Sequence, residues 1–152
     1  FLYLPLGLTG KIPPEPSYLP FIADGNYYLV LVGLTPLVLT DEWLLGCAVI
    51  HLILLACKAK SDFNSILNIT GFTALMIGTV LILWDWTWVA IGGITQYGLG
   101  ISHLIIDFWG ITVAAIAFKK ILKVPLWLGL FVNLSAVIVA LPMAIMFMRS
   151  PL

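Results

Sequence analysis

The chain has 152 residues, 62% of them hydrophobic and only 9% charged, with seven basic side chains balancing seven acidic ones and a mean hydropathy of +1.13. A water-soluble domain of this length needs far more charge to cover its surface, so the composition excludes that class and predicts an all-α integral membrane protein. The even charge balance leaves no basic patch for nucleic acid, and the length allows one compact bundle with little outside it.

Residues 1–24 hold five of the nine prolines. They are expected to form an interfacial arm without helix, because proline lacks a backbone donor and disfavours helix in the residue before it. The opening FLYLPLGL has no positive leading region and is broken by Pro5, so it reads as a poor signal peptide. A single transmembrane domain is predicted over 25–148, with a tail at 149–152. Its five spans are expected at about 25–39, 42–57, 66–84, 96–120 and 125–148.

In the first span Asp24 can cap the helix, Tyr27 and Tyr28 suit headgroup depth, and Pro36 should bend the far end. Thr40-Asp41-Glu42 reads as an acidic turn that starts the second span, with Trp43 as an interface anchor. That span ends in Lys58 and Lys60, cations placed where a helix C-terminus favours them. Cys47 and Cys57 lie in it roughly 15 Å apart along the axis, too far for a disulfide. Ser61 to Ser65 makes the next turn. The third span carries Gly71, Ala74 and Gly78 as a small-residue face, and Trp84, Trp86 and Trp88 read as an aromatic belt around Asp85. Gly92-Gly93 then breaks the chain. The fifth span opens at Pro125 and puts Asn133, Ala136 and Ala140 on one face, with Pro142 further along.

The fourth span is the one around which the others must be arranged. At helical spacing, one face of it reads Gly100, His103, Asp107, Gly110, Ala114, Ala117, while the other faces are mostly Ile, Leu, Val and Phe. Small and polar residues confined to one stripe allow other helices to approach the backbone, and a carboxylate at bilayer depth has to be hidden from lipid. The Gly71, Ala74, Gly78 face of the third span is the expected neighbour.

With five spans, all six lysines fall on one side of the membrane, against Asp41, Glu42, Asp85 and the single Arg149 on the other. The excess of lysine then predicts a cytoplasmic N-terminus and an outside C-terminus.

Four groups could carry chemistry. Cys47 and His51 share a face of the second span, as His103 and Asp107 do in the fourth, each pair four residues apart. If those helices run in the same direction, His51 and His103 lie at similar depth, so the four are weak candidates for a two-helix metal site or a proton path. The simpler expectation is that Asp107 is neutral, or bonded to His103 one turn earlier, and fixes helix register. Thr70, Thr73, Thr79, Ser102, Thr112 and Ser135 read as packing hydroxyls, and Asn133 as an interhelical hydrogen bonder. There is no nucleophile elbow, phosphate loop or His-Glu-x-x-His, so neither enzyme activity nor a cofactor is expected.

The run His51-Leu52-Ile53-Leu54-Leu55 into Lys58-Ala59-Lys60-Ser61-Asp62-Phe63-Asn64-Ser65-Ile66-Leu67 and then Gly71-Phe72 resembles the Yip-domain family of Ypt/Rab-interacting membrane proteins. Trp109 and the run to Pro142 suit that family's second half. The resemblance implies a five-span, non-catalytic protein with a membrane-organising or adaptor role, whose partners are lipid, other membrane proteins or copies of itself. Two alternatives are an accessory subunit of a larger membrane enzyme and a small oligomeric transporter or channel with Asp107 in its path.

Overall fold

Two of the expected spans form a single helix. The computed structural model describes residues 3–10, 12, 19, 21–91 and 96–147. In it, the residues expected at 25–39 and 42–57 run without a break through α2, Tyr27–Ala56. Thr40-Asp41-Glu42 contains no glycine to reverse the chain, and the Thr40 hydroxyl donates back to the Pro36 carbonyl at 2.7 Å, a bond made within a helix. Pro36 costs α2 one backbone bond without ending it. The other elements are α1, Tyr3–Leu8, a 3-10 turn at Asp24–Asn26, α3, Phe63–Ile91, α4, Gln96–Ile121, and α5, Leu126–Phe147. Among the described residues there is no strand. Among the described residues, four helices are long and apolar enough to cross a membrane, where five spans were expected: Asp24–Ala56, Phe63–Trp88, Gly100–Ile121 and Leu126–Met143.

A short helix also stands where an extended arm was expected. Pro5 falls in the first turn of α1, where its missing N–H would have had no partner in any case. The α1 helix packs on the start of α2, so closely that a Cβ at Gly7 would come within 2.7 Å of Leu29 Cδ2. The rest of the proline-rich arm, the Gly92-Gly93 break and the 149–152 tail lie outside the described residues.

The four long helices form a ring in which α2 packs on α3 and α5, and α4 packs on α3 and α5. Successive helices alternate in direction. One end of the bundle, the lysine end, holds the turns at 57–62 and 122–125. At the opposite end α2 and α4 begin and α3 and α5 finish, so the bundle starts and ends on the same side.

The core is concentrated toward the lysine end. Ile50 and Leu54 of α2, Ile66 of α3, Phe118 and Leu122 of α4, and Leu128 and Val132 of α5 are all nearly inaccessible and form one cluster. Toward the other end, no described side chain of α3 beyond Ile77, of α4 before Gly110 or of α5 beyond Ala136 is buried. In α2, Tyr27, Tyr28 and Leu31 are covered there by Leu19, Ile22, Tyr3 and Leu6 of the N-terminal segment.

Local chemistry defines the lysine-end turns. The amide of Lys58 donates to Leu55 O and that of Ala59 to Leu54 O, both at 2.9 Å, the paired bonds of a Schellman cap. The left-handed position of that cap is Lys58, at φ 54°, and Lys123 after α4 sits at φ 60°. Asp62 starts α3 by accepting from the Ser65 amide at 3.0 Å and from the Ser65 hydroxyl. Those bonds, the hydroxyl's above all, hold the exposed Asp62 carboxyl below the usual carboxylate range.

Candidate functional site: a cavity among four helices

Just past the packed core, toward the open end, the four helices border an open cavity of about 470 Å³. Each helix contributes to it: Glu42, Trp43 and Cys47 from α2, Thr70 and Thr73 from α3, Asp107 and Ile111 from α4, and Asn133 and Ala140 from α5. Glu42 is the sixteenth residue of the 30 in α2 and Asp107 the twelfth of the 26 in α4. At ~1.5 Å rise per residue, both carboxylates lie within a few ångströms of the middle of their helices.

Small residues let the walls approach at this level. A Cβ at Gly110 would come within 2.8 Å of Ile77 Cγ1, and one at Gly129 within 3.1 Å of the Ala115 carbonyl oxygen and 3.2 Å of its Cα. The expected α4 stripe thus works through Gly110 and Ala114, which is 3% exposed. Gly100 and Gly78 have nothing within 4 Å of an added Cβ, and so take no part in close packing. Ala74 lines the cavity, and Gly71 lies against the Trp43 ring, 3.2 Å from Cζ2 to a would-be Cβ.

The polar groups of the wall are largely committed. Thr70 donates to Ile66 O at 2.8 Å and accepts from Trp43 Nε1–H at 2.8 Å. With its one proton so used, Thr70 Oγ1 accepts from the Cys47 thiol at 3.1 Å as well. Thr73 donates to Ile69 O at 2.8 Å, and Asn133 Nδ2 donates to Gly129 O at 2.7 Å. The expected interhelical bond of Asn133 is therefore a bond within its own helix. The same holds for Thr79, Thr112 and Ser135, while Thr70 ties α2 to α3 and Ser102 ties α3 to α4. Glu42 is the exception: its Oε1 is inaccessible and has no hydrogen-bond partner among the described residues.

The two histidines are far apart in depth, because α2 and the second expected span do not begin at the same place. His51 lies near the lysine end, its Nδ1 hydrogen-bonded to Ser61 Oγ at 2.7 Å. His103 lies toward the open end, where its Nε2–H donates to the carboxylate of Asp85 at 2.6 Å instead of to Asp107. Trp84 Nε1–H donates to Ser102 Oγ at 2.8 Å beside this pair. Cys47, His51, His103 and Asp107 are consequently not one cluster, and among the described residues no three His, Cys, Asp or Glu side chains gather as metal ligands would. Asp85 is a partner the sequence reading passed over. The signal was available: in an antiparallel pair of helices, residues equidistant from the connection face each other, and Asp85–His103, Trp84–Ser102 and Ile77–Gly110 are all centred on 92–95. Glu42 was missed for another reason: the sequence makes it the start of a second span, whereas it lies at the middle of α2.

A four-helix bundle of membrane-spanning type, packed at one end and hollow at its middle, is the class these features define. Comparison with protein families, curated proteins and solved structures returns no match for the chain.

Proposed function

We propose that the protein binds a small solute inside the membrane and passes it across, as a small transporter or channel subunit with Asp107 in the path. The observation that carries this reading is the pair of carboxylates from different helices, Glu42 and Asp107, lining one cavity at mid-helix. Intramembrane carboxylates are costly and mark ion and substrate pathways when they face a cavity. The Ile50, Leu54, Ile66 and Phe118 core closes the cavity toward the lysine end, and the unburied half of the bundle leaves it reachable from the other. Among the described residues, Lys58, Lys60, Lys119, Lys120 and Lys123 all lie at the closed end, which the positive-inside rule makes cytoplasmic. Four crossings then put both ends of the bundle outside.

The test is one-sided access. Ala140→Cys, in a Cys47→Ser, Cys57→Ser background, should react with a membrane-impermeant maleimide in sealed proteoliposomes only when the reagent is on the side opposite the lysine turns. Labelling from the lysine side, or none in vesicles when detergent-solubilised protein does react, would sink the proposal.

An assembly role is the second reading, and a different observation favours it. Asp41, next to Glu42 at the middle of α2, is exposed, with Leu37, Thr40, Leu44 and Leu45 exposed on the same face. A carboxylate on the outer surface at that depth needs cover from another chain or a second copy. Such a surface is what a Yip-like adaptor or an accessory subunit would use. Asp41→Leu should then change the assembly state in mild detergent while leaving Ala140→Cys reactivity intact.

A further inference from the structure

We infer that the solute taken by this cavity is an organic cation with an apolar body, its ammonium group received by Glu42 and Asp107. The inference rests on the cavity being a solute site and adds what kind of solute fits it.

The Thr70 and Thr73 hydroxyls, the Cys47 thiol, the Trp43 indole N–H and one Asn133 amide proton are already given to other protein atoms. No lysine or arginine lines the cavity. What remains is acceptor capacity, chiefly the carboxylates of Glu42 and Asp107, apart from Glu42 Oε1, which is inaccessible. A site rich in acceptors and poor in donors favours a ligand that brings donors and positive charge, and disfavours an anion.

Size and wall chemistry narrow the class. About 470 Å³ is the scale of a drug-sized organic molecule. A bare metal ion would need a tight shell of oxygens instead, and no such cluster exists among the described residues. Most of the lining is apolar, with Ile50, Ile77 and Ile111 among it. The Trp43 ring is fixed by its bond to Thr70 and by contact with Gly71, giving a rigid aromatic wall beside Glu42 on which a cation can rest.

The experiment compares 1-naphthylmethylammonium with its neutral counterpart 1-naphthylmethanol, by equilibrium dialysis against the purified full chain. The ammonium should bind at least about tenfold more tightly than the alcohol, and Glu42→Gln and Asp107→Asn should each weaken it by about tenfold or more. Should those variants fail to fold, the ammonium's protection of Ala140→Cys from the maleimide, with both carboxylates intact, decides the matter. Equal binding of the two probes, or ammonium binding unchanged in both variants, overturns the cation assignment. So does absence of ammonium binding or protection while Ala140→Cys remains accessible from one side. That last result would leave the cavity reading standing, whereas loss of one-sided access would remove the cavity reading itself.

Discussion

Gly78 and Gly129 look alike in sequence, each a glycine inside an apolar helix, yet replacing each with alanine should give different outcomes. At Gly78 an added Cβ meets nothing within 4 Å. At Gly129 it would lie 3.1 Å from Ala115 O, 3.2 Å from Ala115 Cα and 3.3 Å from Ala115 Cβ. Ala115 is fully buried and cannot yield alone, because Ala114 and Phe118 beside it are also packed. Relief therefore means moving α4 away from α5 by a few tenths of an ångström, and overpacking of that kind costs about 1–2 kcal/mol. Alanine's helix propensity gains up to about 1 kcal/mol over glycine in water, but membrane spans remain helical when the bundle comes apart, so little of that gain is expressed. Gly78→Ala should be neutral or stabilise by about 0.5 kcal/mol, and Gly129→Ala should destabilise by about 1–2 kcal/mol. Reversible unfolding in mixed micelles, monitored by tryptophan emission, measures the difference directly. Equal effects at the two positions would refute the close α4–α5 approach at Gly129 and Ala115.

Thr70→Val keeps shape and removes the acceptor for the Trp43 N–H, which should cost about 1–3 kcal/mol in the same unfolding assay, with Trp43 emission shifting in parallel. Lys58→Gly relieves a left-handed residue, gaining about 1 kcal/mol less roughly 0.5 for the lost cation at the end of α2, whereas Lys58→Val should destabilise. Asp62 is held low by Ser65, so its stabilisation of the α3 start is present above the unfolded carboxylate value and disappears as the pH falls through the lower folded one. The Ser65 amide resonance should accordingly move only below about pH 4, and a midpoint above that value would contradict the bond.

Much of this architecture could be read from hydropathy. The ends of α4 came within one residue, because Lys119 and Lys120 close an apolar run that Gln96 opens. The turn after α4 is legible for the same reason, whereas the turn expected at 61–65 ends earlier, because α3 already begins at Phe63. What failed was the break expected at 40–42. Thr40-Asp41-Glu42 reads in sequence as an acidic turn and a helix start, and that break splits α2 into two spans and brings His51 level with His103. The backbone at 40–42 gave no support for a turn: it lacks glycine and has Thr40 bonded back into the helix. A second limit is that periodicity describes a single helix. It paired His103 with Asp107 four residues away, while Asp85 across the 92–95 connection was the actual partner. It also marked Gly78 as a packing residue without showing whether anything stood opposite.

The misplaced carboxylate is, for the same physical reason, the most informative residue in the chain. A helix of 30 residues that keeps Glu42 near its midpoint has to turn that side chain away from lipid, and α2 turns it into the cavity shared with Asp107. The surrounding wall bears on the proposed role of Glu42. Were its role only to set helix register, a neighbouring donor would be expected to satisfy it, as Thr70 satisfies Trp43. Instead the nearby hydroxyls and the Asn133 amide donate to backbone carbonyls, and Oε1 is left with no partner among the described residues. On the proposed reading, a donor-bearing cation in the cavity offsets the cost of holding the Glu42 and Asp107 carboxylates at bilayer depth, although Oε1, being inaccessible, is not the atom it meets.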